Sequence, residues 1–380
     1  MRETVREFVS DNYEDTLKLL KRLAAIPAPS GREGERAAFM LQFLMEEGAG
    51  DCWIDETGNV IVRMPGNDEE EKNFSVFAAH MDIVFPDTRP LTVYEDDTSL
   101  SAPGIGDDTA NLVNLLMTVR FFLRHRELIR PHGLMFVANT GEEGDGNLAG
   151  TKGLFRSFGS RIRDFTSLDL YLGTLVEEAV GSSRYRIHLH TAGGHSLHDF
   201  GRMSALKAAA DLVERFYGMQ LPPEGLATYN VGTLYGGTSI NAIASDAELT
   251  YEFRYDRESV RDYMTRQLEE ALRSVEHGDV RVNCTGTGFR PCTTDRITPG
   301  MREFRSAAER TVGSVLKKNV QPVAASTDAN IPLSMGIPAV AFGTVSGAGL
   351  HTRDEWIDKA SLMTGQELAI RFALDRSGVI

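Results

Sequence analysis

Two adjacent carboxylates, Glu142 and Glu143, stand in the glycine turn Thr140-Gly141-Glu142-Glu143-Gly144. Neighbouring acids repel, so a site that keeps both needs a cation or a proton beside them. The turn closes the apolar run Leu134, Met135, Phe136, Val137, Ala138, which has the composition of a buried strand. A strand ending in such a turn delivers the next residues to the carboxyl edge of a sheet, where open α/β folds place their sites. Metal-ligand types recur at other predicted strand ends. His80 and Asp82 follow the run Phe74 to Ala79, Asp107 and Asp108 follow Pro103-Gly104-Ile105-Gly106, Asp169 follows Leu168, and His351 lies beyond the strand Ala339 to Phe342. Each alone could be a cap or a turn former. Five at one sheet edge point to a shared cation site. Two imidazoles and three carboxylates suit a pair of zinc ions with one carboxylate shared, and cobalt or manganese would take the same donors.

The elements that position these groups alternate in type. Leu17, Leu20 and Leu23 recur at helical spacing until Pro27 and Pro29 end the helix. Ser30 and Glu33 have the spacing of a capping box for a helix through Leu44 and Met45. A hairpin, Cys52 to Ile54 and Val60 to Met64, turns at Thr57-Gly58-Asn59, and a long helix runs through Leu112, Leu115, Val119 and Leu123. Strand, turn and helix in alternation predict an α/β fold with a mostly parallel sheet. The pattern changes near residue 182. Arg184, Arg186, His188 and His190 alternate with Tyr185, Ile187 and Leu189, which gives a strand with one wet face. From there the order is β-α-β-β-α-β, the ferredoxin-like pattern of an antiparallel sheet backed by two helices. The expected organisation is a catalytic domain of residues 1–182 and 289–380, with a lid or dimerisation domain inserted at 183–288.

Composition narrows the partners. The 380 residues carry 54 acidic and 40 basic side chains, a formal charge of -14, which argues against nucleic-acid phosphates and anionic membrane surfaces. No stretch has the length of a membrane span, and the charged N-terminus has no apolar signal region, so the expectation is a cytoplasmic protein. Cys52, Cys284 and Cys292 form no C-x-x-C pair and fit a reducing compartment.

Six motifs appear in order: H-x-D at His80 and Asp82, G-x-G-D-D at Gly104 to Asp108, G-E-E at Gly141 to Glu143, G-G-H-S at Gly193 to Ser196, G-G-T-x-x-N at Gly236 to Asn241, and H-x-x-x-E at His351 to Glu355. In this the chain resembles the dinuclear zinc exopeptidases that include peptidase T, glutamate carboxypeptidase G, aminoacylase and succinyl-diaminopimelate desuccinylase. Only 26 residues separate His80 from Asp107, and the insertion lies between Asp169 and His351, a placement that is most similar to peptidase T-like members. The resemblance implies that His80 and Asp169 hold one zinc, Glu143 and His351 the other, and that Asp107 bridges them. Glu177 or Glu178 could stand in for Asp169. It further implies that Asp82 orients His80, that the Asp107-Asp108 peptide is cis, and that Glu142, which holds no metal, moves a proton between the bridging water and the leaving amine. His195 is implied to act across a homodimer, and Asn241 and Arg254 to grip the substrate carboxylate. Two positions depart from the pattern: Thr109 stands where most relatives have lysine, and Ala244 where many have proline. The expected activity is hydrolysis of short peptides, as an aminopeptidase or tripeptidase. An N-acyl-amino-acid deacylase with the same site is the nearer alternative, and a metal- or peptide-binding protein without catalysis the more distant one.

Overall fold

The computed structural model describes residues 1–66, 73–128 and 131–380. The chain divides into two compact units, residues 1–179 with 296–380, and residues 180–295. The expected breaks at 182/183 and 288/289 fall within the strands Gly181–His190 and Arg281–Arg290.

The first unit is built on an eight-stranded sheet. At its centre lie Phe74–His80 and Gly133–Asn139, each buried along its whole length, so neither shows the alternation of a half-wet strand. These two pair in parallel, and Phe74–His80 pairs in parallel with Ile162–Leu168 on its other side. Ala339–Phe342 continues the parallel run beside Ile162–Leu168. The hairpin Cys52–Ile54 and Val60–Met64 adds antiparallel strands at one edge, and Leu175–Ala179 joins Ala339–Phe342 antiparallel toward the other. Parallel strands place their carboxyl ends together, which brings His80, the turn after Asn139 and Asp169 to one edge. The helix Ala110–Arg124 is buried from Ala110 to Phe122. Sequence periodicity did not distinguish the helices Arg2–Asp11 and Ala149–Phe158.

One aromatic cluster ties the layers of this unit. Phe372, fully buried on the helix Ser361–Arg376, meets Phe77, Phe304 and Phe342 at ring centroid distances of 6.0, 5.7 and 5.5 Å. Replacing it with alanine removes three ring contacts and leaves a cavity, and the expected cost is about 3–5 kcal/mol of unfolding free energy in denaturant titration.

The second unit is a four-stranded antiparallel sheet in the order Ala227–Gly236, Asp246–Tyr255, Gly181–His190, Arg281–Arg290. The helices Ala205–Tyr217 and Glu258–Val275 pack on one face, where Leu212, Phe216, Met264 and Leu268 meet Ile187, Leu249, Tyr251 and Phe253. This is the ferredoxin-like arrangement that the alternation of Arg184 to His190 predicts.

Candidate metal centre

The turn carrying the paired acids is held by other acids. Gly141 has φ +63°, a conformation glycine adopts without steric cost. Three successive main-chain amides, from Gly141 to Glu143, each meet a carboxylate oxygen. Gly141 donates to Glu33 Oε1 at 3.0 Å, Glu142 to Asp82 Oδ1 at 2.9 Å, and Glu143 to Asp82 Oδ2 at 2.9 Å. Ser30 Oγ also donates to Asp82 Oδ2, at 2.6 Å. The Ser30–Glu33 capping box is therefore not formed. Glu33 is the residue before the helix Gly34–Glu46 and makes no side-chain cap, and both side chains serve the acidic turn instead.

Asp82 is fully buried, which works against its charge, yet hydrogen bonds from His80, Ser30 and the Glu143 amide hold it below the ordinary carboxylate range. His80 Nδ1 lies 3.0 Å from the Asp82 main-chain oxygen and 3.4 Å from its Oδ1, so the carbonyl is the nearer partner. An Asn in place of Asp82 sets its amide NH2 against one main-chain donor, the Glu142 or the Glu143 amide. Metal affinity is expected to fall about 10–100-fold, read by titrating metal into chelator-treated protein.

Asp107 and Asp108 do not follow a strand of the central sheet. They lie in the turn Ile105–Thr109 that leads into Ala110–Arg124, where both have non-helical backbone angles and their peptide is cis. Glu355 fixes this turn, accepting from Gly106 and Asp107 at 2.7 Å and from Gly104 at 3.0 Å. A Cβ at Gly106 would sit 2.8 Å from Tyr171 Oη and 2.9 Å from Glu355 Oε1, so glycine is required for the clamp. Thr109, at the position where lysine is common, accepts from Arg36, a fully buried guanidinium that also donates to Met81 O and Ile26 O.

The two oxygens of Asp107 face different histidines. His80 Nε2 is 3.0 Å from Oδ1 and His351 Nε2 is 3.2 Å from Oδ2, while His351 Nε2 is also 3.1 Å from Glu143 Oε1. Ligand atoms of His80, Asp107, Asp108 and Asp169 lie within 4.8 Å of one another, as do those of Asp107, Glu143 and His351, and those of His80, Glu142 and Glu143. Asp169 is placed by its amide, which donates to Phe342 O. Glu177 and Glu178 belong to none of these groups; burial and the nearby Glu309 push Glu177 up to about 7.

The electrostatics are those of a cation site. Burial, reinforced by Asp107 and Glu142, pushes Glu143 up to about 7, and burial with Asp107 carries Asp169 well above the ordinary range. Asp107 and Glu143 raise His351 to about 10. Burial opposes the charge on His80, but Asp108, Asp107 and Asp82 raise it well above the usual imidazole value. Protons are thus drawn in to balance clustered carboxylates, a task that divalent ions perform with the same donors. The residues fit a pair of metal ions, with Asp107 disposed to serve both.

Sequence reading leaves out several groups that shape this site. Asp328, wholly buried, accepts from Asn139 at 2.6 Å and from Thr151, and so secures the end of the strand that precedes the acidic turn. Burial and Glu142 push Asp328 up to about 6.

His195, Asn241 and Arg254 belong to the second unit. His195 in Gly194–His195 pairs with Ala242, and the Ser196 amide donates to Asn241 O at 3.0 Å, so His195 and Asn241 lie on one short two-stranded ladder. Arg254 lies near the far end of the strand Asp246–Tyr255 and pairs with Glu252 at 3.2 Å. The eight residue-to-residue steps from Asp246 to Arg254 span roughly 27 Å.

The family model described as peptidase family M20/M25/M40 matches residues 76–375. The chain belongs to this family. It is a metal-dependent hydrolase, and its ligand set lies within the matched region. Among relatives, a Pyrobaculum aerophilum protein named for LysW-lysine and LysW-ornithine hydrolysis is 26% identical over 96% of this chain and 98% of its own length. Peptidase T of Geobacillus kaustophilus is 22% identical over 90% of this chain and 91% of its own. Among solved structures, the aminopeptidase PepT of Bacillus cereus superposes with TM-score 0.75 at 20% identity, covering 97% of this chain and 99% of that one. A tripeptidase of Staphylococcus aureus does so with TM-score 0.77 at 20% identity and the same coverage.

Among the described residues no helix is long and apolar enough to cross a membrane.

Proposed function

We propose that this M20 hydrolase cleaves short peptides with free ends, as an aminopeptidase or tripeptidase, using two zinc ions. His80 and Asp169 hold one ion, Glu143 and His351 the other, and Asp107 both. The observation that carries this reading is the Asp107 carboxylate, whose two oxygens each face a different histidine at 3.0 and 3.2 Å. When bound, the ions would supply Lewis acidity toward the scissile carbonyl and the attacking water. Glu142 takes a proton from the attacking water and gives it to the departing amine nitrogen, so the net reaction consumes one water and leaves Glu142 ionised. Its main chain is fixed by Asp82, which limits where its carboxylate can reach.

His195, Asn241 and Arg254 contact substrate in this proposal. A tripeptide spans at most roughly 11 Å, far less than the separation along the strand between the His195 ladder and Arg254. One copy therefore cannot bring all three to one short peptide, and a second copy would have to supply part of the set, which supports a homodimer. The acidic charge and the membrane finding above are compatible with the cytoplasm as its compartment.

The relative named for LysW-lysine hydrolysis favours a second reading, amide cleavage on an N-acylated amino acid. Turnover of unblocked di- and tripeptides beside N-acetyl and N-succinyl amino acids separates the two. The proposal expects the free peptides to be the better substrates, and exclusive turnover of N-acyl compounds would replace it with the deacylase.

A further inference from the structure

The wet face of the second unit's sheet carries a cluster that the peptidase reading does not use. His188 and His190, two residues apart on Gly181–His190, project to the same face, and Asp246 lies directly across from His190 on the neighbouring strand. Both rings reach one oxygen of that aspartate. His190 Nδ1 is 2.9 Å from Asp246 Oδ1 and His188 Nε2 is 3.3 Å from the same atom. The other oxygen, Oδ2, accepts from Ser245 Oγ at 2.6 Å, which orients the carboxylate toward the histidines. We propose that His188, His190 and Asp246 form a third metal site, separate from the dinuclear centre, for a divalent transition-metal ion such as Zn2+.

Two imidazoles and one carboxylate are a sufficient protein set for a zinc ion that keeps an open position for water, and the half-exposed side chains here leave that position to solvent. Because both ring nitrogens reach the same oxygen, at 2.9 and 3.3 Å, they are at most about 6.2 Å apart, and rotation of the exposed imidazoles would be needed to bring both to one ion with bonds of about 2.0–2.1 Å. Ser245 supplies the supporting hydrogen bond that metal-bound carboxylates usually have. Hydrogen bonds from Ser245 and His190 hold Asp246 below the ordinary carboxylate range, so its charge is present at neutral pH. Neighbouring cations are engaged elsewhere. Arg186 lies 3.6 Å from Glu248, and Arg281, across from His190, donates to the carbonyls of Gly278 and Val280 at 3.0 Å. Asp279, which accepts from the Ala192 amide, adds a further negative charge nearby.

The position gives the site a consequence. Thr191 and Ser245, the residues next to His190 and Asp246, are joined by a main-chain hydrogen bond at 2.8 Å, and the two-stranded ladder bearing His195 and Asn241 extends from this point. An ion across His190 and Asp246 would tie the two strands together at the root of that ladder.

The test is calorimetric titration of Zn2+ into chelator-treated full-length protein, comparing wild type with His188→Gln, His190→Gln and Asp246→Asn, and with Glu248→Gln as a control on the same face. The expected result is three ions per chain in wild type and in the control. Each of the three site variants should bind two with unaltered affinity, the third weakened at least about tenfold. Because all four side chains are exposed or half-exposed, a thermal melt should show the variants folded. Two ions in wild type, or a third ion that persists unchanged in all site variants, would overturn the proposal and leave the histidines as hydrogen-bond partners of Asp246.

Discussion

Replacing Glu142 with alanine is expected to lower kcat on a tripeptide about 10^2–10^4-fold, the range that a positioned general base or acid contributes. KM should change little, because the substitution removes a proton carrier rather than a binding group. The reason lies in the division of the paired acids. Glu143 is 3.1 Å from His351 and shares that histidine with Asp107, whereas Glu142 precedes it on the same turn, and Asp82 accepts from the amides of both. Metal content measured on the same sample distinguishes a lost proton carrier from a lost ligand. Two ions retained with turnover gone is the predicted outcome. Loss of an ion in the alanine variant would make Glu142 a ligand, and near-normal turnover would remove it from the chemistry.

Chelation should destabilise the protein, and more so as pH rises. Without ions the folded chain holds protons on groups that release them on unfolding: Glu143 and Glu355 at about 7 and Asp328 at about 6, each lifted by burial from the usual carboxylate range. A raised carboxyl pKa means that stability is lost as pH climbs from about 4.5 toward about 7. His351, raised to about 10 by Asp107 and Glu143, contributes stability fully below about 6.5 and loses it between there and about 10. Both effects have the same sign across the neutral range. Asp82 lies below the ordinary range, so its contribution is complete above about pH 4 and flat beyond. Bound ions replace the protons and remove this slope, and each ion at 100 times its Kd adds about 2.7 kcal/mol. The melting temperature gap between loaded and chelated protein should therefore be wider at about pH 8 than at about pH 5.5. A gap that is constant, or that narrows with pH, would mean that the buried acids do not bind the ions.

The parts of this site that are legible in the sequence are those encoded locally. Fully apolar runs followed by polar turns placed His80, Glu142, Glu143 and Asp169 at one sheet edge, because parallel strands bring their carboxyl ends together. Asp107 was misplaced as a strand end. Its G-x-G-D-D turn opens a helix, and the glutamate that fixes that turn, Glu355, lies 248 positions away in the chain. Ser30 and Glu33 show how the same spacing can serve another purpose. Their separation is that of a capping box, but tertiary structure puts Asp82 and the Gly141 amide within reach, and these stronger partners take both side chains. Asp328 and Arg36 carry no local signal at all, since each acts only through partners that the fold brings from distant segments. In the second unit the alternation of charged and apolar residues gave the strand and its wet face, and with it His188 and His190, but not the aspartate opposite them.

The measurement that bears most directly on the central claim is anomalous diffraction from crystals of the metal-loaded protein. The account predicts two ions sharing the Asp107 carboxylate, one bound by His80 and Asp169 and the other by Glu143 and His351, with Glu142 bound to neither. A single ion, or two ions of which Asp107 touches only one, would contradict it.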